Sequence, residues 1–319
     1  MADTSPARGR WAVRPLPPEP RSIVELIRGG TLDSELAATL WLLVEAGVPL
    51  LVAGEGQGTG KSTLLGALLD FVLPGIRVVE LAGAAEAFDW LPQAKELGWP
   101  GTARSGAARP APEGAIVKPD TTLLVAPELS DHLPAYTWGE AARIAVRAAS
   151  IGYGLAATIH ADSLDGVFNE LGQSPVGLTD DELSHLGVVL VLRRLEGNRR
   201  RIVAAHYIRP VSRDVHGHLQ RLGPAVLATR DAARDRLEHF GWGIVPELAM
   251  RVGRRAGDFE QEADARRVLL DQLAASGVTD VERVREAITT YRTAAATEDS
   301  AASGGADSSS SPSAAPLPN

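Results

Sequence analysis

Residues 50–63 read LLVAGEGQGTGKST, and the fold class follows from them. The first four form an uncharged apolar run, the pattern of a strand buried on both faces. A glycine-dense turn from Gly54 to Gly60 follows, then Lys61, Ser62 and Thr63, then the apolar, helix-like run LLGALL. Strand, glycine turn, Gly-Lys-Ser and helix together are the layout of a phosphate-binding P-loop. Glycines let successive backbone N–H groups converge on one anion. A helix starting near Lys61 adds its positive end at the same point. Gly56, Gly58, Thr59, Gly60, Lys61, Ser62 and Thr63 are therefore the candidate nucleotide-binding residues. Lys61 reaches the outer phosphates, and the Ser62 hydroxyl is placed to hold Mg²⁺. The pattern G-x-x-x-x-G-K-[ST] puts its first glycine at Glu55. Gly54 and Gly56 flank that position, so a one-residue shift or bulge restores the turn.

Strands and helices alternate on both sides of this motif. Residues 22–27 read as a short helix capped by Ser22, and 34–46 as a second one capped by Thr31 or Asp33. Apolar runs at 77–81, 121–126, 155–159 and 188–193 read as strands, and 88–97, 138–150 and 164–171 as helices. Residues 200–208 return as a hairpin strand across the turn Glu196-Gly197-Asn198. Beyond about residue 222 the pattern turns helical, with helices at 245–252, 259–276 and 281–291, the last capped by Asp280. The order predicts an α/β protein with a doubly wound, mainly parallel sheet, an antiparallel hairpin extension and a C-terminal helical region. The expected division is a flexible segment at 1–20, an ATPase core at 21–221, a helical region at 222–294 and a disordered tail at 295–319.

Composition narrows the function. With 319 residues, 45% of them hydrophobic, the chain can bury a substantial core. A net charge of -8 argues against a nucleic-acid partner. The absence of cysteine removes disulfides and thiolate metal sites. No secretory leader and no apolar run of membrane-spanning length occur, which predicts a cytoplasmic protein.

Hydrolysis needs a carboxylate to orient water and help hold the metal. Glu128, following the apolar run 122–126, is the best candidate, because it falls at the carboxyl edge of the sheet where the P-loop also lies. Ser62 and Glu128 are thus the expected metal-holding pair. His160 ends the next strand in the same way and reads as a polar sensor of the outer phosphate. Glu80, at the end of the strand after the P-loop, is a third rim carboxylate.

These motifs together resemble the traffic ATPases, which serve type II and type IV secretion, type IV pili and archaella. Residues 22–65 resemble the family's lead helices and P-loop. KPDTTLLVAPE resembles its Walker B segment, with Glu128 on the glutamate. GYGLAATIHADSLDGVFNEL resembles its histidine box, with His160 on the box histidine and Thr158 two residues before it. LRRLEGNRRRIVAAHYI resembles the following hairpin. ADARRVLLDQLAASGVTDVERVREAI looks most like the adhesive-pilus and archaeal branch.

The resemblance implies a RecA-like core that uses ATP and Mg²⁺. It also implies a homo-oligomeric ring, usually a hexamer, docked on an integral-membrane platform and moving pilins or secreted substrates. Departures from the family pattern are Glu55 in the P-loop, Pro127 for the glycine before Glu128, Ser130 for an arginine, Tyr153 for a histidine, and an aspartate box reduced to Glu80. The family's N-terminal domain, which supplies interfacial arginines, reads as truncated to residues 1–49, leaving Arg104 and Arg109 as candidates to act in trans. A hydrolysis-deficient regulatory or assembly paralogue is the alternative these departures raise. A kinase or partition-type ATPase is disfavoured by the histidine box and hairpin.

Overall fold

The computed structural model describes residues 19–101 and 117–304. The first elements in chain order are α1 (Ile23–Arg28), α2 (Ser34–Glu45), β1 (Leu50–Ala53), α3 (Lys61–Leu69) and β2 (Arg77–Glu80). Next come β3 (Thr122–Leu129), α4 (Glu140–Ser150), β4 (Gly154–Ile159), α5 (Leu164–Gly172), α6 (Asp180–Leu183), β5 (Val188–Leu195) and β6 (Arg199–Tyr207). The two-residue strands β7 (Ser212–Arg213) and β8 (Leu219–Gln220) precede β9 (Ala225–Asp231) and β10 (Arg236–His239). The chain continues with α7 (Val245–Arg251), α8 (Ala256–Ala275) and α9 (Val281–Gly304).

The main sheet has the order β10-β9-β6-β5-β1-β4-β3-β2. Strands β1 to β5 are mutually parallel, with Leu50 opposite both Ala156 and Val188. The P-loop strand β1 therefore lies between β4 and β5. Every residue of β1 and β4 is buried, as strands covered on both faces require. On one face α1, α2, α3, α8 and α9 cover the sheet through residues such as Leu40, Leu68, Leu270 and Ile288. On the other, α4, α5 and the segment 88–99 do so through Ile144, Val167, Phe88 and Trp90. The α/β architecture, a mainly parallel sheet with an antiparallel extension, is the one read from the sequence.

Ser22 and Asp33 cap α1 and α2 as expected, accepting from the amides of Glu25 and Leu36. Asp280 accepts from Arg283 N at 3.0 Å at the start of α9. Three readings are corrected. Residues 88–97 form turns rather than a helix. The buried Glu86 carboxylate takes the Ala82 and Phe88 amides at 2.8 and 2.9 Å and the Trp90 indole at 3.0 Å, and Phe88 adopts φ +52°. The helical region does not begin at 222: β9 and β10 come first and pair antiparallel with β6 and with each other. Helix α9 continues to Gly304, past residue 294. The segments 1–18 and 305–319, and Arg104 and Arg109, lie outside the described residues.

Trp41 ties the two ends of the chain together. It is fully buried, stacks on Phe71 at 4.8 Å and meets Tyr291 edge-on at 5.5 Å. The Arg266 and Arg292 guanidinia lie 5.2 and 5.7 Å from its ring. Its indole N–H donates to Glu45, which also holds Arg266 and Arg292 at 2.8 and 2.7 Å. Arg285 pairs with Asp70, just after α3, at 2.8 Å, and Ser22 Oγ donates to Thr279 O at 2.7 Å across 257 positions. Trp41→Phe removes the donor to a charged, buried carboxylate and leaves unfilled space. It should lower stability by about 1.5–3 kcal/mol, seen as a reduced urea midpoint at unchanged slope.

A second, partly buried contact makes stability pH-dependent. His239 Nε2 and Asp33 Oδ2 are 2.8 Å apart. Burial disfavours the charged imidazole, but the Asp33 hydrogen bond and the charges of Asp33 and Glu35 outweigh it and raise His239 above 6.5. Burial works against the Asp33 carboxylate too, yet His239 and the Leu36 amide bring it below 3.8. The imidazole contribution is complete below the unfolded histidine value and fades as pH rises through the folded one. The carboxylate contribution holds above the unfolded aspartate value and fades as pH falls through the folded one. Asp33→Asn keeps the cap but removes the charge. It should return His239 toward its ordinary value in an NMR titration and flatten stability against pH above 6.

Candidate functional site

The parallel strands bring the sequence-selected residues to one edge. The P-loop leaves the carboxyl end of β1, Glu128 lies near that of β3, and His160 follows β4. An open cleft of about 720 Å³ there is lined by the P-loop from Gly56 to Thr63, Glu128, His160, and also His132, Tyr136 and Arg200.

The P-loop turn does not need glycine at position 55. Glu55 has no positive φ, whereas Gly56, Gly58 and Gly60 have φ of +77°, +74° and +101°. Gly54 is required for another reason: a Cβ there would lie 2.9 Å from the Leu192 carbonyl oxygen. Thr59 Oγ1 donates to the Glu55 and Gly56 carbonyls and pins the turn. Helix α3 starts at Lys61 with Gly60 as its cap residue and no side-chain hydrogen bond at that end. Its first-turn amides, as in any helix, lack intrahelical partners and attract an anion.

Lys61 is buried, and its Nζ lies 3.0 Å from Gly54 O and 3.4 Å from Glu128 Oε1. The ammonium and the carboxylate thus meet at the cleft floor, while Ser62 is exposed at its mouth. Glu128 was expected just past a strand. It lies inside β3, which runs to Leu129 with a register shift between Ala126 and Leu129. Pro127 lacks an amide hydrogen, and a bulge is where a strand tolerates it. Thr158 Oγ1 donates to Pro127 O at 2.6 Å, and Thr137 N donates to Glu128 O at 2.9 Å, so both neighbours of the bulge are held.

His160 meets His132 edge-on, with ring centroids 5.6 Å apart. Burial raises the Tyr136 hydroxyl pKa, and the nearby Glu128 charge adds to it. Glu80 lies opposite Val125 in the edge strand β2 and is not among the residues lining the cleft. Tyr153 is buried, and its hydroxyl donates to Gln93 at 2.8 Å, so its ring serves packing. His132, Tyr136 and Arg200 escaped the sequence reading. The first two sit in a loop without periodicity, and Arg200 reads as one basic residue among several in a strand.

The donor set fits Mg²⁺ with a nucleotide. Two glycines admit close neighbours where a Cβ would collide, at Gly54 and Gly60. Ser62 and Glu128 supply the hard oxygens this ion takes, with the remaining positions left to phosphate and water. Among the described residues no cluster of three or more carboxylates and histidines stands ready to hold a metal unaided.

No family model matches the chain. It is 32% identical over 176 residues to the uncharacterized protein MJ1287 of Methanocaldococcus jannaschii, covering 54% of this chain and 61% of that one. It is 25% identical over 301 residues to the uncharacterized protein MJ0900 of the same organism, covering 91% of this chain and 52% of that one. The chain thus spans between half and two thirds of the length of these relatives. Among solved structures it is similar to the VirB11 ATPase of the Brucella suis type IV secretion system in complex with sulphate. That match has 20% identity, a TM-score of 0.36, and coverage of 61% and 58% of the two chains. The Legionella pneumophila ATPase DotB gives 12%, 0.24, and 78% and 63%. Both scores lie under 0.5, and the fold rests on the sheet order itself. No described helix is long and apolar enough to cross a membrane.

Proposed function

We propose that this chain is a Mg²⁺-dependent ATPase of the traffic type, turning ATP hydrolysis into movement of pilins or secreted substrates. The observation that carries the reading is the pair of buried Lys61 and half-buried Glu128, 3.4 Å apart on the floor of a glycine-walled cleft. Phosphate draws Lys61 and the P-loop amides to itself, in place of contacts Lys61 now makes with Gly54 and Glu128. Bound Mg²⁺ supplies charge neutralisation at the phosphates, and Ser62 and Glu128 are the residues to hold it. Glu128 accepts the proton of the attacking water, and His160 with His132 forms a polar wall beside it. A smaller cavity of about 390 Å³ shares Gly60, Thr63 and Arg200 with the cleft and carries Leu26, Leu64 and Leu192, which suits a nucleoside. The sequence resemblance supports a homo-oligomeric ring, a hexamer in that family, at the cytoplasmic face of an integral-membrane platform, closest to the adhesive-pilus and archaeal branch.

A second reading, a paralogue that binds ATP but scarcely hydrolyses it, is favoured by Pro127 in the bulge beside Glu128. Steady-state hydrolysis of Mg-ATP at several protein concentrations separates the two. Turnover per subunit that rises with concentration supports an oligomeric motor. Tight ATP binding without turnover at any concentration rejects the motor and leaves the paralogue.

A further inference from the structure

We infer that Arg200 is a phosphate-binding cation supplied to the cleft by the same chain, a role that rests on the nucleotide-binding reading above. The β5–β6 hairpin carries several arginines, and most are committed elsewhere. Arg199 and Arg201 each pair with Asp235 at 3.0 Å, and Arg193 donates to Asp162 O at 3.2 Å. Arg200 instead crosses to the P-loop, where its Nε donates to Gly58 O at 3.2 Å. Its stem lies so close that a Cβ on Gly60 would stand 2.7 Å from Arg200 Cδ. A glycine at 60, already required by φ +101°, also makes room for this arginine.

Among the described residues the two terminal amino groups of Arg200 have no hydrogen-bond partner. Its side chain lines the cleft together with Lys61, and among the described residues these two are the permanent cations in that lining. Lys61 is buried and occupied, whereas Arg200 is half-exposed and anchored through one nitrogen only. A guanidinium fixed by Nε presents its remaining N–H groups as a fork, the geometry that matches phosphate oxygens. A polyphosphate entering the cleft therefore meets one cation at the floor and one at the wall.

The test is equilibrium binding of ATP, ADP and AMP, with Mg²⁺, to the full chain and its variants. Arg200→Ala should weaken ATP about 10–100-fold, with AMP changed less than about twofold. Arg200→Lys, which keeps the charge but loses the fork, should fall between. Arg236→Ala removes the same charge from the exposed edge strand β10, outside both cavities, and should leave ATP affinity within about twofold, since exposed charges act weakly at a distance in salt. Thermal melts without nucleotide confirm that the variants fold. Unchanged ATP affinity in both Arg200 variants, or an equal loss in Arg236→Ala, overturns the inference while the nucleotide site stands. A wild-type chain that binds no ATP, or a Lys61→Ala variant that binds it fully, overturns both.

Discussion

Lys61→Ala should bind ATP about 10²–10⁴-fold more weakly than the wild type. The ammonium is buried and already makes a hydrogen bond to Gly54 O and an ion pair with Glu128. Its removal deletes charge-assisted contacts to phosphate and leaves the Glu128 carboxylate, 14% exposed, without its counter-ion beside an incoming polyanion. The two losses act in the same direction. Isothermal titration with Mg-ATP measures the change. Wild-type affinity in a folded Lys61→Ala variant would show that this loop does not hold the nucleotide.

Glu128→Gln should have the opposite signature. The amide keeps the size and can still accept a hydrogen bond, but it neither takes a proton nor carries charge. ATP affinity should stay the same or rise, because Lys61 is released from a competing carboxylate. Turnover should fall about 10²–10⁴-fold, the range for removal of a positioned general base. Rapid-quench measurement with excess enzyme distinguishes slow chemistry from slow product release. Equal turnover in the variant would move the proton-accepting role away from Glu128, with His160 and His132 the nearest candidates in the cleft.

The contrast between what the sequence reveals and what it hides follows the range of the interactions. The P-loop is legible because strand, turn and helix are contiguous, and each residue's role depends on its immediate neighbours. Glu128 and His160 are legible because each closes an uninterrupted apolar run, and parallel strands place such ends on one edge. Pro127 was readable as a departure, but the bulge that accommodates it depends on pairing with β4. Strands β9 and β10 are short and partly exposed, with Val226 facing outward, so neither gives a clear alternation before a helical stretch. Arg200 was invisible as a site residue because its position over Gly58 joins segments 142 residues apart. Glu86 was hidden for a similar reason: a carboxylate that gathers four donors from its own loop leaves no periodic trace.

The packing of α8 and α9 against α1, α2 and the end of α3 bears on how the molecule is made. Ser22 and Thr279 are separated by 257 positions, and Trp41 waits for Tyr291, Arg266 and Arg292. Closing so long a loop is slow relative to local structure, because chain entropy is lost before the contact repays it. On a ribosome adding about 5–20 residues per second, the partners of α1 emerge about 10–50 s after α1 itself. The opposite face of the sheet, built from α4, α5 and segment 88–99, needs only residues that are already synthesised. The two halves of the core are thus expected to mature in sequence. In the interval, the apolar side of α1 and α2 is the surface on which a chaperone, or another nascent copy, would first take hold.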